Sequence, residues 1–383
     1  MKRKIAIVTS SRAEYGHLYW LLKDLAADPE FDLKLIVMGA HLSPEFGTTV
    51  DEIRRDGFEI EAEIECLLSS DSDVGMAKTI GLATLGCADT LARLRPDILL
   101  LIADRYEMLA PASVALALRI PIAHIEGGEV SQGAIDDAVR NALSKLSHFH
   151  FACTEKAARR LIAMGEEEWR VKFTGSPSLD ALRRNPVMTR EELEEKLGCK
   201  LHSPIIVAYH PVTLLRNTTA EFEHLLAALN GFSQQLIFVY PNADAGSRTL
   251  VARSREFAAG RNDARVVVNL DHHTFLSLLA HAGAMVGNSS SGIMESTSLE
   301  LPTVNIGFRQ QGREHGANVL DAEANAEDIA VKIRQALSPE FRRRMGGIVN
   351  PYGDGRAAER IIGALRAIEL GPSFLMKAPT EVK

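Results

Sequence analysis

Between residues 120 and 151 the chain reads IPIAHIEGGEVSQGAIDDAVRNALSKLSHFHF. Four carboxylates gather there around one strand-to-helix junction: Glu126, Glu129, Asp136 and Asp137. Ile120, Ile122, Ala123 and Ile125 form a buried-strand pattern that runs into Glu126 and the pair Gly127-Gly128. Paired glycines accept positive φ and let a backbone come close to a ligand. After a small polar loop, Asp136 and Asp137 open a segment whose apolar positions Val139, Leu143 and Leu146 recur with helical period. An Asp at a helix start is a good N-cap and suits the macrodipole, so either Asp alone has a structural use. Glu126, placed between an apolar strand and Gly-Gly, has little capping or packing use. The expectation is that Glu126 and one of the Asp pair are acid/base groups.

Open α/β sheets bind ligands outside the carboxyl ends of their strands. Residues collected from such ends are Ser11-Arg12, His41, Asp104-Arg105 and Glu126 in the first half of the chain. In the second half they are His210, the run 242–247 beginning at Asn242, Asp271-His272-His273, and GNSSSG at 287–292. GNSSSG follows the apolar AMV and is expected to open a helix near Ile293. Such a turn presents backbone N–H groups and the hydroxyls of Ser289, Ser290 and Ser291 to an anion. It lacks the Gly-Lys-Ser/Thr ending of a P-loop and the G-x-G-x-x-G spacing of a dinucleotide site. Glu295 falls in the first turn, placed to reach sugar hydroxyls, and Arg309, Gly312 and Arg313 add positive charge near the same strand end. Arginine gains on phosphate from bidentate geometry, so these groups suit a diphosphate-bearing ligand.

These loops need a scaffold to bring them together. Apolar runs predict strands at 4–8, 33–38, near 60, 97–102, 120–125, 149–152 and 171–173. A second series falls at 205–208, 236–240, 266–268, 284–286 and 303–306. Helical patterns lie between them, at 14–27, 75–95 and 108–118 among others, and a last helix is predicted at 357–368. Strands that each lead into a helix predict parallel, doubly wound sheets. The alternation pauses near Asn185-Pro186 and the charged run 191–200. The predicted fold is therefore α/β, with two Rossmann-like domains facing across a cleft. Residues 1–185 are expected to form the N-terminal domain with the acids, 186–365 the C-terminal domain with the serine-rich turn, and 366–383 a helix end and a tail that frays after Gly371.

Composition sets the outer limits. At 383 residues the chain is too long for one ordinary core and suits two domains. Its net charge of −7 argues against a nucleic-acid or membrane partner, while local basic groups still admit an anionic substrate. Cys66, Cys87, Cys153 and Cys199 are scattered without a C-x-x-C pair, which speaks against zinc and redox motifs. No metal site and no cofactor are expected. The first apolar run ends before Ser10, too short for a signal sequence, and none approaches the ~20 residues that span a bilayer. These features predict a cytoplasmic enzyme.

With these residues assembled, the chain resembles the hydrolysing UDP-N-acetylglucosamine 2-epimerases of the sialic-acid pathway. The resemblance runs through SRAEYGHL, GAHLSPEFG, ADRYEMLA, HIEGGEVSQGAIDDAVRNALSKLSHFHF, HPVT, PNADAGS, GNSSSGIMES and NIGFRQQGREHGANVL, in that order. It implies the two-domain fold called GT-B, an active site in the interdomain cleft, and a homodimer or homotetramer. By position it implies that Arg12 serves the nucleotide and His41 lies near the sugar. Asp104, Arg105, Glu126, Asp136 and Arg140 match catalytic and sugar-facing groups. His210 matches the His beside the diphosphate, Ser289 and Ser290 the phosphate-binding serines, Glu295 the ribose-binding acid, and Arg309 an Arg of the second domain's part of the site. Asn242, in PNADAGS, and Arg313 are counted with the substrate-binding residues, as is Asp137.

Three positions depart from the pattern. Ala103 stands where relatives usually have Gly, and Met294 where an Arg often precedes the acid. The loop after Glu126 is one residue longer, which leaves both Asp136 and Asp137 open for the catalytic role. A related branch acts on UDP-N,N'-diacetylbacillosamine, whose sugar carries an acetamido group at C4 and lacks the 6-hydroxyl. The implied reaction is anti elimination of UDP to a 2-acetamidoglucal, followed by hydration, with Asp104, Glu126 and Asp136 sharing the proton transfers. Rival readings are a non-hydrolysing 2-epimerase, a retaining glycosyltransferase, and a non-catalytic nucleotide-sugar sensor on the same fold.

Overall fold

The computed structural model describes every residue except 1, 69–71, 213, 216, 218, 240–245, 268–269 and 379–383. Asn242 thus lies outside the described residues. The chain divides into two compact units, 1–129 with 136–181 and 352–383, and 130–135 with 182–351.

Unit 1 is built on seven parallel strands: Arg3–Thr9 (β1), Phe31–Met38 (β2), Ile60–Ile64 (β3), Ile98–Ile102 (β4), Ile122–Ile125 (β5), Phe149–Ala152 (β6) and Val171–Phe173 (β7). They lie in the order β3-β2-β1-β4-β5-β6-β7. β1 shows why the sequence reads as continuously apolar. Ile5 and Ile7 enter one core with Leu18, Leu22 and Leu25, while Ala6 and Val8 enter a second with Cys87, Leu91 and Leu101. A strand covered on both faces has no polar side to show.

Unit 2 repeats the design with six parallel strands: Ile205–Ala208 (β8), Leu236–Val239 (β9), Ala264–Val267 (β10), Ala284–Gly287 (β11), Thr303–Ile306 (β12) and Val319–Ala322 (β13). Their order is β10-β9-β8-β11-β12-β13. Ile205 and Val207 point into one core, and Ile206 and Ala208 into the other. Both sheets reverse direction of growth beside their first strand, at β1/β4 and β8/β11, the switch points where such sheets open for ligands.

Three expectations are corrected. The last stretch of the chain does not belong to the second domain. Ala358, Ile361, Ile362 and Leu365 of the helix Ala357–Ala367 fall at helical spacing and join the core of β1. The buried Asp180 carboxylate accepts from the N–H groups of Ala357 and Ala358 at 2.8 and 2.7 Å, satisfying that helix's first donors. The described residues after Gly371, 372–378, are not a frayed tail. Phe374 is buried, and the Arg170 guanidinium donates to the carbonyls of Phe374 and Met376 at 2.9 and 2.6 Å. Finally, β13 went unanticipated, because VLDA is short and carries an acid.

Among the described residues, no helix is long and apolar enough to cross a membrane. The four cysteines are free thiols, and burial pushes Cys66 and Cys87 up to about 11 and about 12, well away from thiolate chemistry.

Candidate active site

In unit 1 the predicted residues collect at the carboxyl ends of β1, β2, β4 and β5. Arg12 begins the helix Arg12–Ala27 directly after β1. The loop before it is held by Glu14, whose Oε2 accepts from the Ser10 N–H at 2.7 Å, the Ser11 N–H at 3.1 Å and the Ser10 hydroxyl at 2.9 Å. Burial raises the Glu14 carboxyl to about 7, opposed by the Arg105 guanidinium and the Ser10 hydrogen bonds. His41 follows β2 and is fully buried. Its ring nitrogens lie 3.0 Å from Thr9 Oγ1 and 2.8 Å from Thr49 Oγ1, and burial holds it neutral, with its pKa lowered to about 3. His41 therefore fixes the two threonines beside the site.

After β4, Ala103 takes a left-handed φ of +60°, which turns the chain so that Asp104 leaves the sheet. Asp104 is paired with the buried Arg140 guanidinium. Arg140 reaches it from the helix Asp136–Leu146, the helix that Asp136 and Asp137 open as predicted. Arg105 is engaged in a buried two-point ion pair with Glu107, at 2.9 and 3.2 Å.

Glu126 ends β5 with φ +66°, a conformation that costs a non-glycine residue of order 1–3 kcal/mol and gathers at functional sites. Its Oε1 accepts from the Ser176 hydroxyl at 3.0 Å and lies 3.6 Å from His17 Nδ1. Of the two glycines that follow, only Gly128 has positive φ, and a Cβ there would lie 2.4 Å from the Ala157 carbonyl. That glycine is required by the protein's own packing rather than by a ligand. Glu129 is held by the hydroxyls of Tyr352 at 3.0 Å and Thr154 at 3.3 Å, which gives it a structural post.

In unit 2 the central residue is Asn288. Its side chain exchanges two hydrogen bonds with the His210 backbone, accepting from the N–H at 2.7 Å and donating to the carbonyl at 2.9 Å. Its own carbonyl accepts from Arg309 Nη1 at 3.1 Å and Gln310 Nε2 at 2.9 Å. His210, the serine run and Arg309 are thereby tied to one residue at the β8/β11 switch point. The helix expected near Ile293 begins at Glu295 and is short. A single 3₁₀ turn, Ser290–Gly292, leads into the one-turn helix Glu295–Ser298, with Glu295 buried at its start. An anion at this turn would meet the turn's N–H groups and hydroxyls, with little help from a helix dipole. Arg313 donates to the Val130 carbonyl and the Ser131 hydroxyl.

Sequence reading gave no role to His17, Ser176, Glu14 and Gln310, and collected Asn288 only as part of GNSSSG. Only Glu14 carried a local signal, the Ser-x-x-Glu spacing of a capping box.

Comparison with known proteins adds the chemistry that has been selected on this scaffold. A family model described as UDP-N-acetylglucosamine 2-epimerase matches residues 23–366. A UDP-N,N'-diacetylbacillosamine 2-epimerase (hydrolyzing) of Legionella pneumophila is 37% identical over 380 residues, covering 98% of this chain and 99% of its own. A GDP/UDP-N,N'-diacetylbacillosamine 2-epimerase (hydrolyzing) of Campylobacter jejuni is 39% identical over 346 residues, covering 89% of each. Among solved structures, a UDP-GlcNAc 2-epimerase from Neisseria meningitidis bound to UDP-GlcNAc superposes with a TM-score of 0.80 at 17% identity, covering 95% of this chain and 99% of that one.

Proposed function

Because this chain belongs to the UDP-N-acetylglucosamine 2-epimerase family, in its hydrolysing branch, we propose that it converts UDP-N,N'-diacetylbacillosamine and water into UDP and the free C2-epimeric sugar. The observation that carries the choice of sugar is the end-to-end likeness to two hydrolysing enzymes named for that substrate. UDP-N-acetylglucosamine is the second reading, favoured by the eight motif segments. Incubating the pure protein with each sugar nucleotide and identifying the released sugar tests the choice. Faster release from UDP-N-acetylglucosamine reverses it.

The mechanism follows from the acidity of C2–H, which has no adjacent carbonyl to delocalise a carbanion. A base removes that proton as the C1–O bond breaks, and the electron pair leaves with UDP, giving a 2-acetamidoglycal. Water adds at C1, and C2 takes a proton on the opposite face. Two faces need two proton-transfer groups, each worth roughly 10²–10⁴-fold. Unit 1 supplies them: Glu126 and Asp136, or its neighbour Asp137, with Asp104 held in place by Arg140. Arg105 and the threonines fixed by His41 complete the sugar-side groups, and Arg12 serves the nucleotide. Unit 2 stabilises the departing diphosphate through His210, Ser289, Ser290 and Arg309, an electrostatic task suited to preorganised donors. Glu295 and Asn242 are assigned to the nucleoside. The enzyme acts as a homo-oligomer in the cytoplasm, which size-exclusion chromatography with light scattering and cell fractionation test.

A further inference from the structure

We propose that Arg313 is a positioning residue for the loop that joins the acids, acting on turnover through residues 130–135 and not through the diphosphate. The proposal rests on the reading of the chain as a hydrolysing 2-epimerase and adds a residue role to it.

Residues 130–135 connect Glu126 and Glu129 to Asp136. Both flanks belong to unit 1, yet these six residues pack within unit 2. What holds them is specific. Arg313 Nε donates to the Val130 carbonyl at 2.8 Å, and Nη2 donates to the Ser131 hydroxyl at 3.3 Å. The Leu214 N–H donates to the Gly133 carbonyl at 3.4 Å. Gly133 lies flat on the chain after β12: a Cβ there would meet Arg309 Cα at 2.7 Å and its N at 3.0 Å. On the other side, a Cβ at Gly312 would sit 3.3 Å from both Val130 Cγ1 and Gln132 Nε2. Ser131 and Ala134 are buried in consequence.

The segment 308–313 therefore serves two neighbours. Arg309 and Gln310 donate to the Asn288 carbonyl, beside the serine run. Four residues on, Arg313 holds the acid-bearing loop. Two of its nitrogens are committed to that loop, and the third lies 3.9 Å from Met294 Sδ. Covalent continuity carries the placement of 130–135 to Glu126 on one side and to Asp136 on the other. Misplacing reacting groups by 1 Å costs on the order of 10²-fold in rate.

The test uses the full chain, wild type beside Arg313→Ala and Arg313→Lys. UDP release, UDP affinity by calorimetry, and hydrogen exchange of peptides covering 126–137 and 284–299 are measured. R313A is expected to lower kcat by about 10²-fold, with UDP affinity changed less than about threefold. Exchange should quicken over 130–137 and stay unchanged over 284–299. R313K, which keeps the charge but loses the fork, should move each reading the same way by less. The proposal is overturned if R313A weakens UDP binding about tenfold or more while keeping kcat, or if exchange over 130–137 does not change. Should R313A fail to fold, R313K is judged by the same split. A wild-type protein that releases no UDP from either sugar nucleotide would refute the functional reading, and the exchange measurement would still decide the role of Arg313 in holding the loop.

Discussion

Replacing Glu14 with Gln probes the interior of unit 1 through a residue that no assigned chemistry uses. Glu14 is 4% exposed, and all three of its hydrogen bonds go to one oxygen, while Oε1 has no partner. Burial lifts its carboxyl from the ordinary 4.5 to about 7. The folded protein thus holds a proton that the unfolded chain releases in this range. Stability from this group is full below pH 4.5, falls as pH rises to about 7, and is level beyond. At 1.36 kcal/mol for each pH unit over which only one state is protonated, the loss comes to about 3 kcal/mol. Glutamine keeps the shape and removes the titration. His41, lowered to about 3 by burial, has the opposite sign: it favours folding less as pH falls below 6.5. It is present in both proteins and cancels in their difference. Both tryptophans, Trp20 and Trp169, lie in unit 1, so urea unfolding followed by fluorescence reads this unit. Wild-type stability minus that of E14Q should fall by about 3 kcal/mol between pH 4.5 and 7.5. A difference constant to within about 0.5 kcal/mol across that range would refute the reasoning.

Two other substitutions carry clear expectations. Glu126→Gln should reduce kcat by about 10²–10⁴-fold while leaving UDP affinity nearly unchanged, and full turnover would remove Glu126 from the mechanism. Ala103→Gly should leave the thermal midpoint unchanged or raise it. The left-handed backbone costs alanine roughly 1–2 kcal/mol, against about 0.5–1 kcal/mol for the added freedom of glycine. A midpoint several degrees lower would mean that the Ala103 methyl group, which packs against the core of β1, outweighs the strain.

Most of the scaffold was legible because the inner parallel strands are buried on both faces and print apolar runs, as in KIAIV and DILLLI. Strand ends then located Asp104, Glu126, His210 and the serine run without further help. The destination of the last helix was not legible. The stripe of Ala358, Ile361 and Leu365 declares that the helix packs, but partners far away in sequence, Asp180 and Arg3 among them, fix where. The same limit hid His17 and Ser176, which meet Glu126 from a helix flank and a distant loop. The helix that GNSSSG opens was read near Ile293, but not its length of one turn, since Ser and Gly cap long and short helices alike. Ala103 shows the reverse case: its difference from relatives was visible in the sequence, and its physical meaning came only with a φ of +60°.

The central claim is that C2 loses its proton to the enzyme as UDP departs, and regains one from solvent. Turnover of UDP-N,N'-diacetylbacillosamine in deuterated water, with the free sugar examined by NMR and mass spectrometry, tests this directly. The account predicts one deuterium at C2 of an inverted sugar for each UDP released. An inverted product that keeps its original hydrogen at C2, or UDP released with C2 configuration retained, would contradict it.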